Sequence, residues 1–271
     1  MKRWQKIKLR QKSVFQILAN CREIFPDLED RNPEFFQDAV RTMDVAEYAL
    51  LACLHHLELE DVPGSSGYFC ANRGAAISLD YFFGPWRETH FAENRKKEKP
   101  SVVLCRQRLD WINTFVGGLF CASITQDANC MGQLWKWADD DLKFDEGSWD
   151  YSVEANYFYI FLGLLKQGRK PEVQLRLRQS IVEGKATGPK IWLEAIDSIA
   201  DRDTKTFSFV ITKLLDYHLK NEFCDNNPMR AVLVNGTIFW ELARMSGMKL
   251  PQLSVEIGNR IITKETVSAA R

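Results

Sequence analysis

Apolar residues recur at three- and four-residue spacing along almost the whole of this 271-residue chain, and strict alternation never lasts more than a few residues. A chain patterned in this way buries stripes rather than sheet faces. The expected fold is therefore all-α: a single multi-helix domain over residues 1–271, built of antiparallel helical hairpins. With 45% hydrophobic and 12% aromatic residues it can fill a core of that size. No long Pro/Gly/Ser linker interrupts it, and the acidic loop near 139–149 is the one place where it would subdivide.

The last third is the most legible. Pro171, Gly188-Pro189 and Asp203 mark three helix starts, followed by the stripes Val173/Leu177/Ile181, Trp192/Ala195/Ile196/Ile199 and Phe207/Val210/Ile211/Leu214/Leu215. Short connections between them make antiparallel neighbours. A last long helix follows Asn227-Pro228; it is apolar nearly all round, leaving a narrow polar strip of Thr237, Glu241 and Arg244. Gly247 is placed to end it and Pro251 to prevent its resumption.

Upstream, a basic first helix precedes Asn32-Pro33, which opens a second helix running to about Leu59 with Phe36, Val40, Met43, Leu50, Cys53 and Leu57 on one face. Gly64 to Gly67 breaks the pattern. A third helix carries Gly74, Ala75 and Ala76, small residues that let a neighbour approach. Pro100-Ser101 opens the next, with Leu109, Ile112, Phe115, Val116, Leu119 and Phe120 inward and Gly117-Gly118 inside it, at about 1 kcal/mol per glycine relative to alanine. Asp127 to Ala138 reads as a short helix, and Tyr151 to Lys166 as one central to the core.

Thirty-six basic and thirty-six acidic residues cancel, so no global field draws the molecule to nucleic acid or an anionic membrane. Cys21, Cys53, Cys70, Cys105, Cys121, Cys130 and Cys224 form no C-x-x-C pair and suit neither a disulfide framework nor a zinc site, which points to a reducing cytoplasm. The longest apolar run, Tyr157 to Leu165, is about half of the ~20 residues a membrane-spanning helix needs. The N-terminal apolar stretch Val14 to Ala19 is too short for a signal peptide and reads as mature protein.

The residues that could carry chemistry are few. His55, His56, His90 and His218 lie in no helical metal pattern, and His218 continues an apolar stripe, as a core-edge histidine does. Lys2, Arg3, Lys6, Lys8, Arg10 and Lys12 read as a solvated first helix. The run Trp137, Asp139, Asp140, Asp141, Asp145 and Glu146 lacks the alternating spacing and glycine of a calcium loop. Its plain reading is a solvated helix end and loop. Its functional reading is a protein-docking surface, in which the acids steer a basic partner and Trp135, Trp137 and Trp149 supply aromatic anchors. No phosphate loop, nucleophile elbow or dinucleotide fingerprint occurs, so neither catalytic residues nor a cofactor or metal site are expected.

The segment IWLEAIDSIADRDTKTFSFVITKLLDYHLK and the later NPMRAVLVNGTIFWELARMSGMKLPQLS carry a family resemblance. With Ala200 to Asp203 as helix entry, the Phe207 to His218 helix, and Gly236-Thr237 leading to Leu242-Ala243-Arg244 and Gly247, these last 75 or so residues resemble the Immunity 49 family of bacterial polymorphic-toxin systems. The resemblance implies an all-α cytoplasmic protein that binds a cognate toxin and blocks it by occupancy. A helical adaptor that recognises a peptide or protein is the alternative expectation, and an enzyme of unknown class a third.

Overall fold

The computed structural model describes residues 1–8, 19, 38–59, 62, 66–83, 111–136, 153–221 and 231–268; its regular elements are α-helices, and no strand occurs among them. The helices are α1 Arg3–Lys6, α2 Asp38–His56, α3 Gly67–Phe83, α4 Trp111–Thr125, α5 Ala128–Lys136, α6 Val153–Gln167, α7 Pro171–Glu183, α8 Thr187–Ala200, α9 Thr204–Asn221, α10 Val234–Met245, α11 Val255–Gly258 and α12 Lys264–Ser268. Several starts follow from local chemistry. Ser66 Oγ accepts from Phe69 N at α3, Asp127 Oδ1 from Cys130 N at α5, and Asp203 Oδ1 from Lys205 N and Thr206 N at α9. Pro171 occupies the first position of α7, where its missing N–H costs nothing.

Consecutive helices pair: α2 with α3, α4 with α5, α6 with α7 and α8 with α9. The first three long helices approach one another closely because glycine stands where they meet. A Cβ on Gly74 would lie 2.7 Å from Cys121 Sγ, one on Gly117 2.9 Å from Val45 Cγ1, and one on Gly118 2.6 Å from Ser78 Cβ. The Gly117-Gly118 pair thus does not weaken the helix for nothing: it exchanges helix propensity for interhelical contact. Of the three small residues expected to face a neighbour in α3, Gly74 and Ala75 are buried, whereas Ala76 is exposed.

Aromatic rings link the two halves of the chain. Phe82 of α3 meets Phe115 of α4 at 6.1 Å, Phe115 meets Tyr159 of α6 at 6.1 Å, and Phe158 meets Trp192 of α8 at 5.2 Å and Phe239 of α10 at 5.9 Å. These edge-on contacts add about 0.5–1.5 kcal/mol each beyond the area buried. Glu154 at the head of α6 also reaches the loop before α8, where its Oε1 accepts from Lys185 N at 2.7 Å and Ala186 N at 3.3 Å.

α10 stands among these pairs. It packs on α4 and α8; Asn235 Oδ1 accepts from Tyr159 of α6, and Trp240 lies 6.4 Å from Phe207 of α9. Its end is as the sequence indicates, with Gly247 at φ +71° and no helix from Met248 to Ser254. Two features go beyond the sequence reading. The chain continues into α11 and α12, whose four and five residues are too short to show a helical period. Two of the three strip residues are also covered: Thr237 and Glu241 are only 1% and 3% exposed and Thr237 Oγ1 accepts from Ile262 N at 3.1 Å, while the exposed Arg244 closes a bidentate pair onto Glu241. Gly118→Ala should lower the urea midpoint by an amount worth about 1–3 kcal/mol, since Ser78 must move. Gly132→Ala, in α5 with nothing within 4 Å of the new methyl, should be neutral or stabilising by up to ~1 kcal/mol; equal losses in both variants would refute the close-approach account.

Candidate interaction surface

The chemistry-bearing residues inside the fold are placed in packing roles. His56, at the end of α2, is fully buried: its Nε2 lies 3.0 Å from Asn259 O and its Nδ1 2.9 Å from Thr266 Oγ1. Burial pushes its pKa down to about 4; the Asn259 carbonyl and Glu58 act upward and Arg3 downward. The ring is thus neutral near pH 7, with Nε2–H donating to Asn259 O and Nδ1 accepting from the Thr266 hydroxyl. His218 is buried on the inner stripe of α9, as the sequence indicates. His90 lies outside the described residues.

Cys53, Cys70, Cys121 and Cys130 are free, buried thiols. Burial raises all four; Cys70 and Cys130 reach about 12, and neighbouring thiols push Cys121 further. Thiols held protonated in this way are poor nucleophiles and poor ligands. Among the described residues no three His, Cys, Asp or Glu side chains are grouped as a metal site requires. Of the basic N-terminal residues, Arg3 donates from Nη1 to His56 O at 2.9 Å and lies 3.3 Å from Glu58, so part of that charge is tied to α2; Arg10 and Lys12 lie outside the described residues. The expected docking residues Trp137, Asp139, Asp140, Asp141, Asp145 and Glu146 all lie outside them as well. Trp135, at their threshold, is mostly buried, with the Lys166 ammonium 5.7 Å from its ring centroid.

A different surface emerges on α7, α8 and α9. The inner stripes are buried as expected, which leaves Glu172, Leu175, Gln179 and Val182 along the outer face of α7 and Lys205, Phe209, Thr212 and Asp216 along that of α9. Leu175 and Phe209 are each 68% exposed and Val182 56%. Between the two faces runs α8, which presents Glu194 and Asp197 one turn apart. Arg178 of α7 donates from Nη1 to Asp197 Oδ1 at 2.8 Å, and Lys213 of α9 from Nζ to both Glu194 oxygens at 2.6 and 2.8 Å. Arg178 also lies over the Phe161 ring of α6, its Cζ 6.0 Å from the centroid. Each half-exposed pair contributes only about 0.2–1 kcal/mol to stability, so their larger effect is geometric: they fix the relative height of three helices and neutralise the charge between the apolar side chains.

The sequence held a signal for this surface. Leu175 and Val182 fall off the stripe Val173/Leu177/Ile181, and Phe209 off the stripe that begins at Phe207, so the outer faces carry apolar residues where an amphipathic helix usually carries polar ones. Leu175→Ser, Val182→Ser and Phe209→Ser should each change the free energy of unfolding by no more than about 0.5 kcal/mol in chemical denaturation, because little packing is lost. A loss of several kcal/mol would make these side chains part of the core. No protein-family model, curated protein or solved structure matches this chain.

Proposed function

We propose that this protein is an immunity protein that binds a cognate bacterial toxin and neutralises it by stoichiometric protein–protein contact, using the outer faces of α7 and α9 for part of that contact. The observation that carries the reading is the exposure of Leu175, Val182 and Phe209 around internally paired charges. Covering a large apolar side chain is worth about 1.5–3 kcal/mol, so three of them supply a usable fraction of a tight association. The charges between them already have partners, and a toxin surface laid over them need not provide new ones. The resemblance of the Ile191 to Ser254 region to Immunity 49 proteins supports the class of partner. An inhibitor of this kind occupies on the order of 1,600 Å² in total, so the three side chains would be part of a larger contact.

The adaptor reading has less room. The space bordered by α4, α6, α8 and α9, where stacked hairpins would receive a foreign peptide, is filled by α10 of the same chain. For the enzyme reading, His56, His218 and Glu241 are each held in the packed interior.

Co-expression with its cognate toxin module should restore growth in cells that carry that module, and the two proteins should co-elute as a complex of fixed ratio. The triple variant Leu175→Ser, Val182→Ser, Phe209→Ser should keep its fold and weaken the complex by at least about 100-fold, the equivalent of ~3 kcal/mol. Undiminished protection by the triple variant would remove this face from the contact. No protection and no complex with the wild-type protein would sink the immunity reading itself.

A further inference from the structure

Besides their apolar side chains, the outer faces of α7 and α9 carry exposed Arg176, Glu183, Lys205 and Asp216, and none of these forms an ion pair among the described residues. Their heights along the helices can be compared because the two ion pairs to α8 act as rungs. Glu194 and Asp197 stand three residues apart on α8, about 4.5 Å along its axis; Lys213 of α9 meets the first and Arg178 of α7 the second. α9 runs antiparallel to α8, which brings the Tyr217 ring beside Gly188. The residue of α9 level with Arg178 therefore lies three before Lys213, at Val210.

This level is the centre of two pairs of positions. On α7 the midpoint of Leu175 and Val182 falls between Arg178 and Gln179, and on α9 the midpoint of Lys205 and Asp216 falls between Val210 and Ile211. One line across the face at that height, perpendicular to the helices, serves both. We propose that a second copy of this chain docks here about a two-fold axis along that line, with α7 antiparallel on α7 and α9 antiparallel on α9.

The axis makes the face complementary to itself, as an isologous contact requires. Leu175 covers Val182 of the second copy and the reverse, and the two Phe209 side chains, each within two residues of the axis, meet beside it. Lys205 stands opposite Asp216 of the second copy. Arg176 and Glu183, seven residues apart and so on one flank of α7, fall about 3 Å out of level with one another across the axis, an offset their long side chains span. Every charged contact occurs twice. The Arg178–Asp197 and Lys213–Glu194 pairs lie nearer the middle and bring no unpaired charge to it.

The charges also choose between arrangements. A two-fold axis along the helices would lay α7 on α9 of the second copy and set Glu183 against Asp216, at nearly the same height, so only the antiparallel register matches unlike charges. α7 and α9 are 13 and 18 residues long, which makes them about 20 and 27 Å. With α8 between them at helix spacings of about 8–10 Å, the face covers on the order of 500 Å² per copy. A total of about 1,000 Å² is at the lower edge of specific interfaces, so the dimer is a weak one that forms and separates with concentration. On the immunity reading, toxin and second copy exclude one another; the dimer itself does not rest on that reading.

Sedimentation equilibrium of the full chain without toxin, over about 1 µM to 1 mM, tests this, with a dimer expected at a Kd of about 1–100 µM. Lys205→Glu, which sets like charges together twice per dimer, should weaken it by at least about 10-fold. Combining Lys205→Glu with Asp216→Lys should restore it to within about threefold, because the exchanged charges again match across the axis. Both positions are exposed, so the fold is kept. A chain monomeric up to 1 mM, a loss that the double exchange does not repair, or a dimer undiminished by the Leu175→Ser, Val182→Ser, Phe209→Ser triple variant would each overturn the proposal. A monomer that still forms the toxin complex sinks the dimer alone, whereas a dimer with the expected charge dependence stands even where no toxin complex forms.

Discussion

A helix apolar on nearly every side cannot lie on a surface, and the burial of α10 is the constraint on which the arrangement of the other helices depends. Its neighbours come from far apart in the chain: Phe115 and Tyr159 bring α4 and α6 together, Phe158 meets Phe239, and Phe207 lies beside Trp240. Hairpins that in sequence form a simple series must therefore curve until α4 and α8 both touch the same rod. The Thr237 side of that rod is completed by residues 253–268: Ile262 N–H donates to Thr237 Oγ1, the Arg260 carbonyl accepts from Leu233 N, and the Arg260 guanidinium donates to the Ala231 carbonyl. A buried strip of this kind stays favourable only while each of its groups has a partner.

Two kinds of contact set how tightly the rest packs. Around Gly74, Gly117 and Gly118 the missing side chains let α2, α3 and α4 approach until a methyl group no longer fits, which increases dispersion contact at a cost in helix propensity of about 1 kcal/mol per glycine. Around α6 the opposite choice is made, with large rings meeting edge to face at wider separation. The first device demands small residues at fixed positions and tolerates no enlargement. The second leaves room for a polar contact such as Tyr159 to Asn235 within the aromatic core.

Much of the helical layout was legible because caps and breakers act locally. Pro171, Asp203, Gly247 and Pro251 each fix their own boundary through backbone chemistry that needs no partner elsewhere. What escaped the sequence depends on distant residues. That Thr237 and Glu241 are covered rather than exposed follows from a chain segment some twenty residues later, and short helices such as α11 and α12 show no period to read. His56 illustrates the limit well: its neighbours in sequence say that it belongs to a helix, but its chemistry is set by Asn259 and Thr266, more than two hundred residues away. The outer face of α7 and α9 was written in the sequence as departures from the inner stripe, a weaker signal than the stripe itself and one that competes with the acidic run at Asp139 to Asp141.

On the function proposed above, that face acts by occupancy. A catalytic group must be reachable and must change protonation or bonding state at working pH, whereas among the described residues His56 is neutral and enclosed, the four thiols are held protonated, and Glu241 is buried and paired with Arg244. A contact surface has the reverse requirements: exposed apolar side chains near its middle, charges that keep their partners when water leaves, and a scaffold stiff enough that little order is lost on binding. Leu175, Val182 and Phe209 meet the first, and the Arg178–Asp197 and Lys213–Glu194 pairs meet the second. The third comes from α8, whose inner side is locked by Trp192 and Ile196 in the core while its outer side holds both ion pairs, so that the helices bearing the apolar residues are fixed to one rigid member.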